Sequence, residues 1–436
     1  MAVNRDFSPA TRIVRRPGGQ TAQSVSADIC VVGAGIAGVS AALEAAQLGR
    51  KVVLADSLPA LGGQAVNSII GTFCGLFANG YDGAQITHGI ADGILRDLGA
   101  QGALSYRRGG PSNTIVVMYD EIALSRWIEE AIRKAEITVL LGAVMRGVIR
   151  DGGRVRSVDF ATRYGDVSIS AGGFVDASGD AALTWQAGFA CRENADGPLY
   201  GTQMVVLEDV DETSHPPRPE MIARLKEKGD AYGLVRRDGF SFVVPGRGIS
   251  LVNMTHVETP LEPFAASRNA LVGKAMADDV VRFLKSEYPV TFSNARVRAY
   301  GFPGIRQTRW IKGCQHLTVD DVRAGTKFPD AVARTGWPIE LHDRQDSTVW
   351  EPFSDDHLHY VPFGALVPDE ADNVVAAGRC IDGDSAALSS VRVMGPCIAM
   401  GAAAAHALDL AGSGSVRQID VRALRKRVSD NVDGLN

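Results

Sequence analysis

The glycine-punctuated stretch from Asp28 to Asp56 limits what this chain can become more than any other part of it. It reads Asp28-Ile29-Cys30-Val31-Val32-Gly33-Ala34-Gly35-Ile36-Ala37-Gly38, crosses an alanine-rich run, and returns as Lys51-Val52-Val53-Leu54-Ala55-Asp56. An apolar run of strand length enters a G-x-G-x-x-G turn. Ala41, Ala42, Ala45 and Ala46 follow at helical spacing, and a second apolar strand ends in an acid. The pattern predicts a strand–helix–strand unit with a dinucleotide at its first turn. Gly33 permits the tight turn, Gly35 lets the backbone approach a pyrophosphate, and Gly38 lets helix and strand lie close. Backbone N–H groups at the helix start, around Ala37, face the phosphates. Asp56 lies 18 residues past Gly38, placed to accept hydrogen bonds from ribose hydroxyls, with Ser57 beside it.

The 436 residues are 45% hydrophobic and 22% charged, which suits a soluble globular protein with one large or two intimate domains. A net charge of −5 supplies no basic field, so no nucleic-acid partner is expected. No apolar run is read as reaching the roughly 18–20 residues of a membrane span. Arg15-Arg16 is followed by Pro17-Gly18-Gly19-Gln20 where an export signal needs an apolar segment, so export is not expected. The six cysteines (30, 74, 191, 314, 380 and 397) are scattered, without C-x-x-C or zinc spacing. That predicts a reduced, cytoplasmic chain with no metal site, and argues against a disulfide reductase.

Residues 1–27 read as a loose arm. A helix is expected over Ala84–Leu98, from Ile86, Ile90, Ile94 and Leu98 on one face, and another from the N-cap Asp120 to about Ala135. Strands are expected at Ile137–Leu141, Val144–Arg150, Val155–Ala161 and Val167–Ala171, with Asp151-Gly152-Gly153 as a hairpin turn. The periodicity changes over 183–367, which predicts an inserted substrate domain on a mixed sheet, with a helix at Asn269–Leu284. The chain then returns to the first domain over 368–412, with a strand at Asn373–Arg379 and a helix from Pro396 to Ala411. Residues 413–436 carry a basic C-terminal helix, Ile419–Val428.

The motifs Leu61-Gly62-Gly63-Gln64, Asp176-Ala177-Ser178-Gly179-Asp180, Ile305-Arg306-Gln307-Thr308-Arg309, Ala377-Gly378-Arg379-Cys380 and Ser389-Ser390-Val391-Arg392-Val393-Met394-Gly395-Pro396-Cys397 lie far apart in sequence. Together they make the chain, over roughly 28–428, resemble the FAD-dependent oxidoreductase family, relatives of the fumarate reductase flavoproteins. The resemblance implies an α/β fold: a glutathione-reductase-type Rossmann FAD-binding domain with the inserted domain noted above. It implies FAD as cofactor. Gly62, Gly63 and Gln64 would run along the ribityl chain and isoalloxazine, and Val144 would lend backbone contacts to adenine. Ala177, Ser178, Gly179, Asp180, Gly378 and Arg379 would lie at the phosphates and ribityl. The helix near Met394 and Pro396 would aim its positive end at the flavin. Two departures stand out: Asp56 where a glutamate is usual, and Pro396 where a threonine usually precedes the cysteine.

No second strand–G-x-G-x-x-G–helix unit occurs, so a docked nicotinamide domain is not expected. The flavin would take a hydride from a small polar substrate bearing a carboxylate, hydroxyl or amine. Oxygen, a quinone or an electron-transfer protein would be the acceptor. Arg392 and Arg306 are candidate substrate anchors, since arginine forks suit carboxylates, against the plain reading of structural arginines paired with buried carboxylates; Arg309 is read as structural. His359 and Tyr360 are candidates for a base or hydrogen bond near the flavin, against the plain reading of core residues. Cys74 and Cys397 are read as packed thiols rather than flavin tethers, with a lowered pKa open to Cys397 at its helix start. Trp310, Trp337 and Trp350 are candidate cavity walls. Two other readings stay open: a flavin-dependent monooxygenase, and a non-catalytic electron-relay subunit. Homo-oligomerisation is compatible with everything above.

Overall fold

The computed structural model describes Ile13, Arg15 and residues 22–434 apart from 81, 110–112, 196 and 198. Most of the expected arm lies outside the described residues, but its last part does not. The first strand begins at Gln23, and Gln23–Ala27 pairs with Val167–Ala171. This strand, Gln23–Val32, is central in a seven-stranded sheet. Val52–Asp56 and then Thr138–Leu141 lie parallel on one side; the twelve-residue strand Gly165–Asp176 lies parallel on the other. The start of that long strand also pairs with the antiparallel hairpin Val144–Asp151/Arg154–Thr162, and its end pairs with Val374–Ala376. Val32 is in register with Ala55 and Asp176, and Asp176 with Ala376. The turns after these strands therefore open at one sheet edge, the crevice where such sheets bind ligands.

The helix Ile36–Gln47 and the core helix Met394–Ala411 pack on each other through small residues. A Cβ on Gly401 would stand 2.2 Å from the Ala37 carbonyl oxygen, and Ser40 Oγ donates to the Ile398 carbonyl at 2.8 Å. That close approach explains why alanines fill the first helix. The core helix has 18 residues and is long and apolar enough to cross a membrane by length and composition, contrary to the expectation. It is largely buried within the protein, as a core helix is.

Several local expectations need correcting. The helix of the 84–98 segment starts at Ile90 and ends at Ala100, because Gly89 at φ +81° turns the chain and Asp92 accepts from its N–H; Ile86 precedes it. The glycines Gly172 and Gly173 do not break the long strand. Gly173 clears room for Leu408 of the core helix, 2.7 Å from where a Cβ would sit. The core helix begins at Met394, so Pro396 is its third residue, still in the turn whose N–H groups have no intrahelical partner. The inserted sheet is antiparallel, not mixed: Phe240–Val244, Ile249–Asn253, Val205–Glu208 and Arg296–Tyr300 in that order. It has its own apolar cluster with the long helix Pro263–Glu287, whereas Trp310, Ala331–Ala333 and Tyr360–Val361 join the cluster of the core helix. Asp120 caps Glu121–Lys134 as expected, accepting from Ile122 and Ala123 N–H at 2.9 Å. The C-terminal helix is Val421–Arg427.

Candidate functional site

At the sheet edge a cavity of about 970 Å³ runs from the glycine turn to the inserted sheet. Gly33, at φ +104°, must be glycine, since a Cβ would lie 2.3 Å from the Ala177 carbonyl oxygen. Gly38 is as tightly held, 1.8 Å from the Gly33 carbonyl oxygen. Gly35 differs: a Cβ there meets nothing within 4 Å and would project into open space at the start of Ile36–Gln47. No side chain caps that start, so its N–H groups are left for a ligand. Gly33, Gly35, Ala37, Asp56, Ser57, Gly63, Gln64, Ala177, Ser178, Gly179, Asp180, Gly378, Arg379 and Met394 all line the cavity. Gly38 and Gly62 do not line it; a Cβ on Gly62 would strike the Val66 side chain at 2.3 Å, as one on Gly38 would strike Gly33. Val144 does not line it; it lies exposed at the start of its hairpin.

Three of these residues do more locally than the motifs implied. Asp56 accepts from Ala34 N–H at 2.5 Å and Leu58 N–H at 2.7 Å, and burial raises its pKa against those two hydrogen bonds. Asp180 pairs with Arg379 at 2.8 Å and accepts from Thr308 Oγ1, which fixes the guanidinium at the cavity wall. The Gln64 amide pairs in both directions with the backbone of Ile305, at 2.8 and 2.9 Å. It thereby docks the loop that carries Arg306.

Beyond this arm lies a lobe rich in guanidinium groups. Arg306 and Arg392 line it from opposite segments, with Arg236 between them in charge and Glu340 as a partial counter-charge. Arg236 is satisfied: it donates to Asp238 Oδ1 at 2.7 Å and Asn253 Oδ1 at 2.8 Å. Arg306 donates one N–H to the Tyr200 carbonyl at 2.7 Å. Arg392, at the end of the helix Ser385–Val391, reaches the Glu340 carbonyl at 3.5 Å and leaves its buried Nε without a partner. Among the described residues neither Arg306 nor Arg392 has a carboxylate ion pair. Burial and then the neighbouring Arg236 and Arg392 charges hold Arg306 well below its ordinary pKa, and burial pushes Arg392 down to about 10. Trp337 and Trp350, packed edge to face at 5.8 Å, wall the lobe, and Arg218 stacks over Phe240 at 4.2 Å.

Other expected site residues lie elsewhere. His359 and Tyr360 do not line the cavity. They sit in the buried strand His359–Pro362, with His359 Nε2 2.8 Å from Ser390 Oγ. Trp310 is buried off the cavity wall, and Arg309 pairs with Glu193 and stacks on Trp185, a structural role. Cys74 and Cys397 line the cavity, but burial pushes both thiols up to about 12, the reverse of the lowering open to Cys397. Arg107, Arg218, Arg236, Glu340 and the histidines behind Glu340 were not legible. They stand singly on separate helices, strands and loops, and no local pattern marks them.

A sequence model of the family described as FAD dependent oxidoreductase matches residues 28–428. No curated protein matches the chain. Among solved structures it is similar to a geranylgeranyl bacteriochlorophyll reductase-like protein from Thermoplasma acidophilum, at 13% identity and TM-score 0.46, covering 92% of this chain and 82% of that one. It is also similar to a variant of the flavin-dependent brominase Bmp2, at 14% identity and TM-score 0.47, covering 93% and 84%. A third is p-nitrophenol 4-monooxygenase PnpA from Pseudomonas putida DLL-E4, at 10% identity and TM-score 0.46, covering 94% and 82%. With the family match spanning nearly the whole chain and a dinucleotide cradle at the sheet edge, this protein belongs to the FAD-dependent oxidoreductases.

Proposed function

We propose that this flavoenzyme oxidises the C–H bond beside a hydroxyl or amine in a small carboxylate, with Arg306 and Arg392 as the carboxylate anchors. The observation that carries the reading is a pair of half-buried guanidinium groups on the wall of the lobe that have no carboxylate partner among the described residues. Buried charge is costly unless paired, so an anionic ligand completes the site. The residues also fit FAD, in a domain of glutathione-reductase type. The space in front of Gly35 and the uncapped helix start suit a pyrophosphate, and the Asp180–Arg379 pair adds a fixed cation. Bound FAD supplies the two-electron chemistry. The chain itself supplies the rest: Arg306 and Arg392 orient the carboxylate, Trp337 and Trp350 exclude water, and the walls hold the reacting carbon close to the cofactor.

An anaerobic panel of 2-hydroxy and 2-amino carboxylates tests this, read as bleaching of the flavin absorbance. At least one acid is expected to bleach it, and Arg392→Ala to lose that response while keeping FAD. A panel that leaves the band intact, with NADPH bleaching it instead, moves the protein to the monooxygenase reading.

A further inference from the structure

Behind the lobe three side chains form a chain of hydrogen bonds. Glu340, on the strand Ile339–Leu341, lines the cavity with 27% of its side chain exposed. Its Oε1 lies 3.1 Å from His342 Nε2; His342 Nδ1 lies 2.9 Å from His256 Nε2; His256 Nδ1 lies 3.0 Å from the Gln345 carbonyl oxygen. A carbonyl only accepts, so His256 must donate from Nδ1 and accept at Nε2, and His342 must donate from Nδ1. Three contacts need three hydrogens, and two neutral imidazoles bring two. The third lies in the contact between Glu340 and His342, so the fully bonded chain is the form that has taken up a proton. Both imidazoles are kept neutral by burial and by the lobe's arginines. His342 is held well below the usual histidine range, and His256 is held down to about 3.

The chain also has a second state within reach. Thr348 Oγ1 is 3.2 Å from His342 Nδ1 and can donate to it. With the third proton gone, His342 carries its hydrogen on Nε2, facing Glu340, and the threonine hydroxyl fills the Nδ1 side. The groups facing Glu340 favour this second, proton-poor state, the one able to take a proton from the substrate. Trp337 Nε1 donates to Oε2 at 3.2 Å, and the charges of Arg218, Arg306 and Arg392 all act on Glu340.

We propose that Glu340 exchanges one proton with the substrate per turnover and that His342 and His256 act through it as a buried proton relay. The proposal rests on reading the lobe as the substrate site. In the oxidising direction the substrate O–H or N–H bond breaks and its proton passes to the proton-poor relay, where it becomes the third hydrogen. The electron pair left behind forms the C=O or C=N bond as the C–H hydrogen leaves as hydride to the oxidised cofactor. In the reverse direction the relay returns the proton. Glu340 is the catalytic residue; the histidines and Thr348 are positioning residues.

Nitrogen NMR of the holoenzyme, labelled with ¹⁵N-histidine, reads the relay without any substrate. Wild type is expected to hold His342 as the Nε2–H tautomer at neutral pH and to convert it to Nδ1–H as the pH is lowered and the third proton is taken up. In Glu340→Gln the amide N–H fills the third contact with no transferable proton, so His342 should stay Nδ1–H throughout. A wild-type His342 whose tautomer does not respond to pH, or one that responds identically in Glu340→Gln, overturns the relay. With an acid from the panel that bleaches the flavin, Glu340→Gln should slow bleaching by about a hundredfold or more. It should also remove the pH dependence at unchanged FAD content, and His342→Gln should flatten the same profile with a smaller loss of rate. Unchanged rates and profiles in both variants overturn the catalytic role. If no acid bleaches the flavin yet the tautomer converts as expected, the substrate reading fails and the relay stands.

Discussion

At Gly35 a side chain would enter space that the protein itself leaves open, whereas at Gly38 it would strike the Gly33 carbonyl. The two glycines therefore separate binding from folding. Gly35→Val is expected to fold with near-native melting and to purify colourless, while Gly38→Val should lower stability by several kcal/mol, as overpacking against backbone does. Absorbance and calorimetry on the two variants distinguish the roles, and stoichiometric FAD in Gly35→Val would refute the cradle. At Cys74 and Cys397 the thiols are held near 12, so neither is a ready nucleophile. Acid precipitation should accordingly leave the flavin in the supernatant; colour on the pellet would show a covalent link. Arg392 is the sharpest residue-scale test. An ammonium lacks the planar fork, so Arg392→Lys should weaken turnover, and Arg392→Ala should reduce kcat/KM by about a hundredfold or more, on the scale of about 2–5 kcal/mol for a truncated charge pair. FAD content should be unchanged in both; loss of FAD in Arg392→Ala would make the residue structural.

Among the elements, the strand His359–Pro362 shows what burial does to an ionisable group. Its His359 is fully buried, and burial, then the nearby His357, pushes it down to about 3. A histidine whose folded pKa is lowered refuses a proton that the unfolded chain takes up near 6.5. Between about pH 6.5 and 3 the unfolded state therefore binds more protons, so stability is complete above the unfolded pKa and falls as the solution is acidified. The melting temperature should drop over that window, and His359→Gln should show a shallower drop. An identical slope in the variant would assign the acid sensitivity elsewhere. The helices teach a related lesson about local signals. The cap at Asp120 was legible because its side chain satisfies its own helix start. The start at Ile90 was not, because periodicity alone ran through Gly89, whose left-handed backbone ends the pattern.

For the whole molecule, the glycine-turn end of the cavity and its arginine-rich lobe were legible to very different degrees. Most residues named from the motifs line one cavity, since backbone access to a dinucleotide needs glycines at fixed spacing from a strand and a helix. Those spacings are local and survive in one dimension. The joining of four distant turns at one sheet edge also followed, because parallel strands of matched register must end together. The lobe was half legible. Arg306, Arg392, Trp337 and Trp350 stood out, but Arg236, Glu340, His342 and His256 did not, and His359 and Tyr360 moved into the core. Hydrogen bonds such as His256 to His342 join residues 86 positions apart, and no short-range pattern encodes them. The sequence by itself determined the dinucleotide cradle, the cofactor class and the alternation of strands and helices, because these depend on local backbone freedom and periodicity. Tertiary structure alone decided which charges lack a carboxylate partner among the described residues of the lobe and which side chains are hydrogen-bonded behind it. Those depend on burial and on distances between segments that only packing sets.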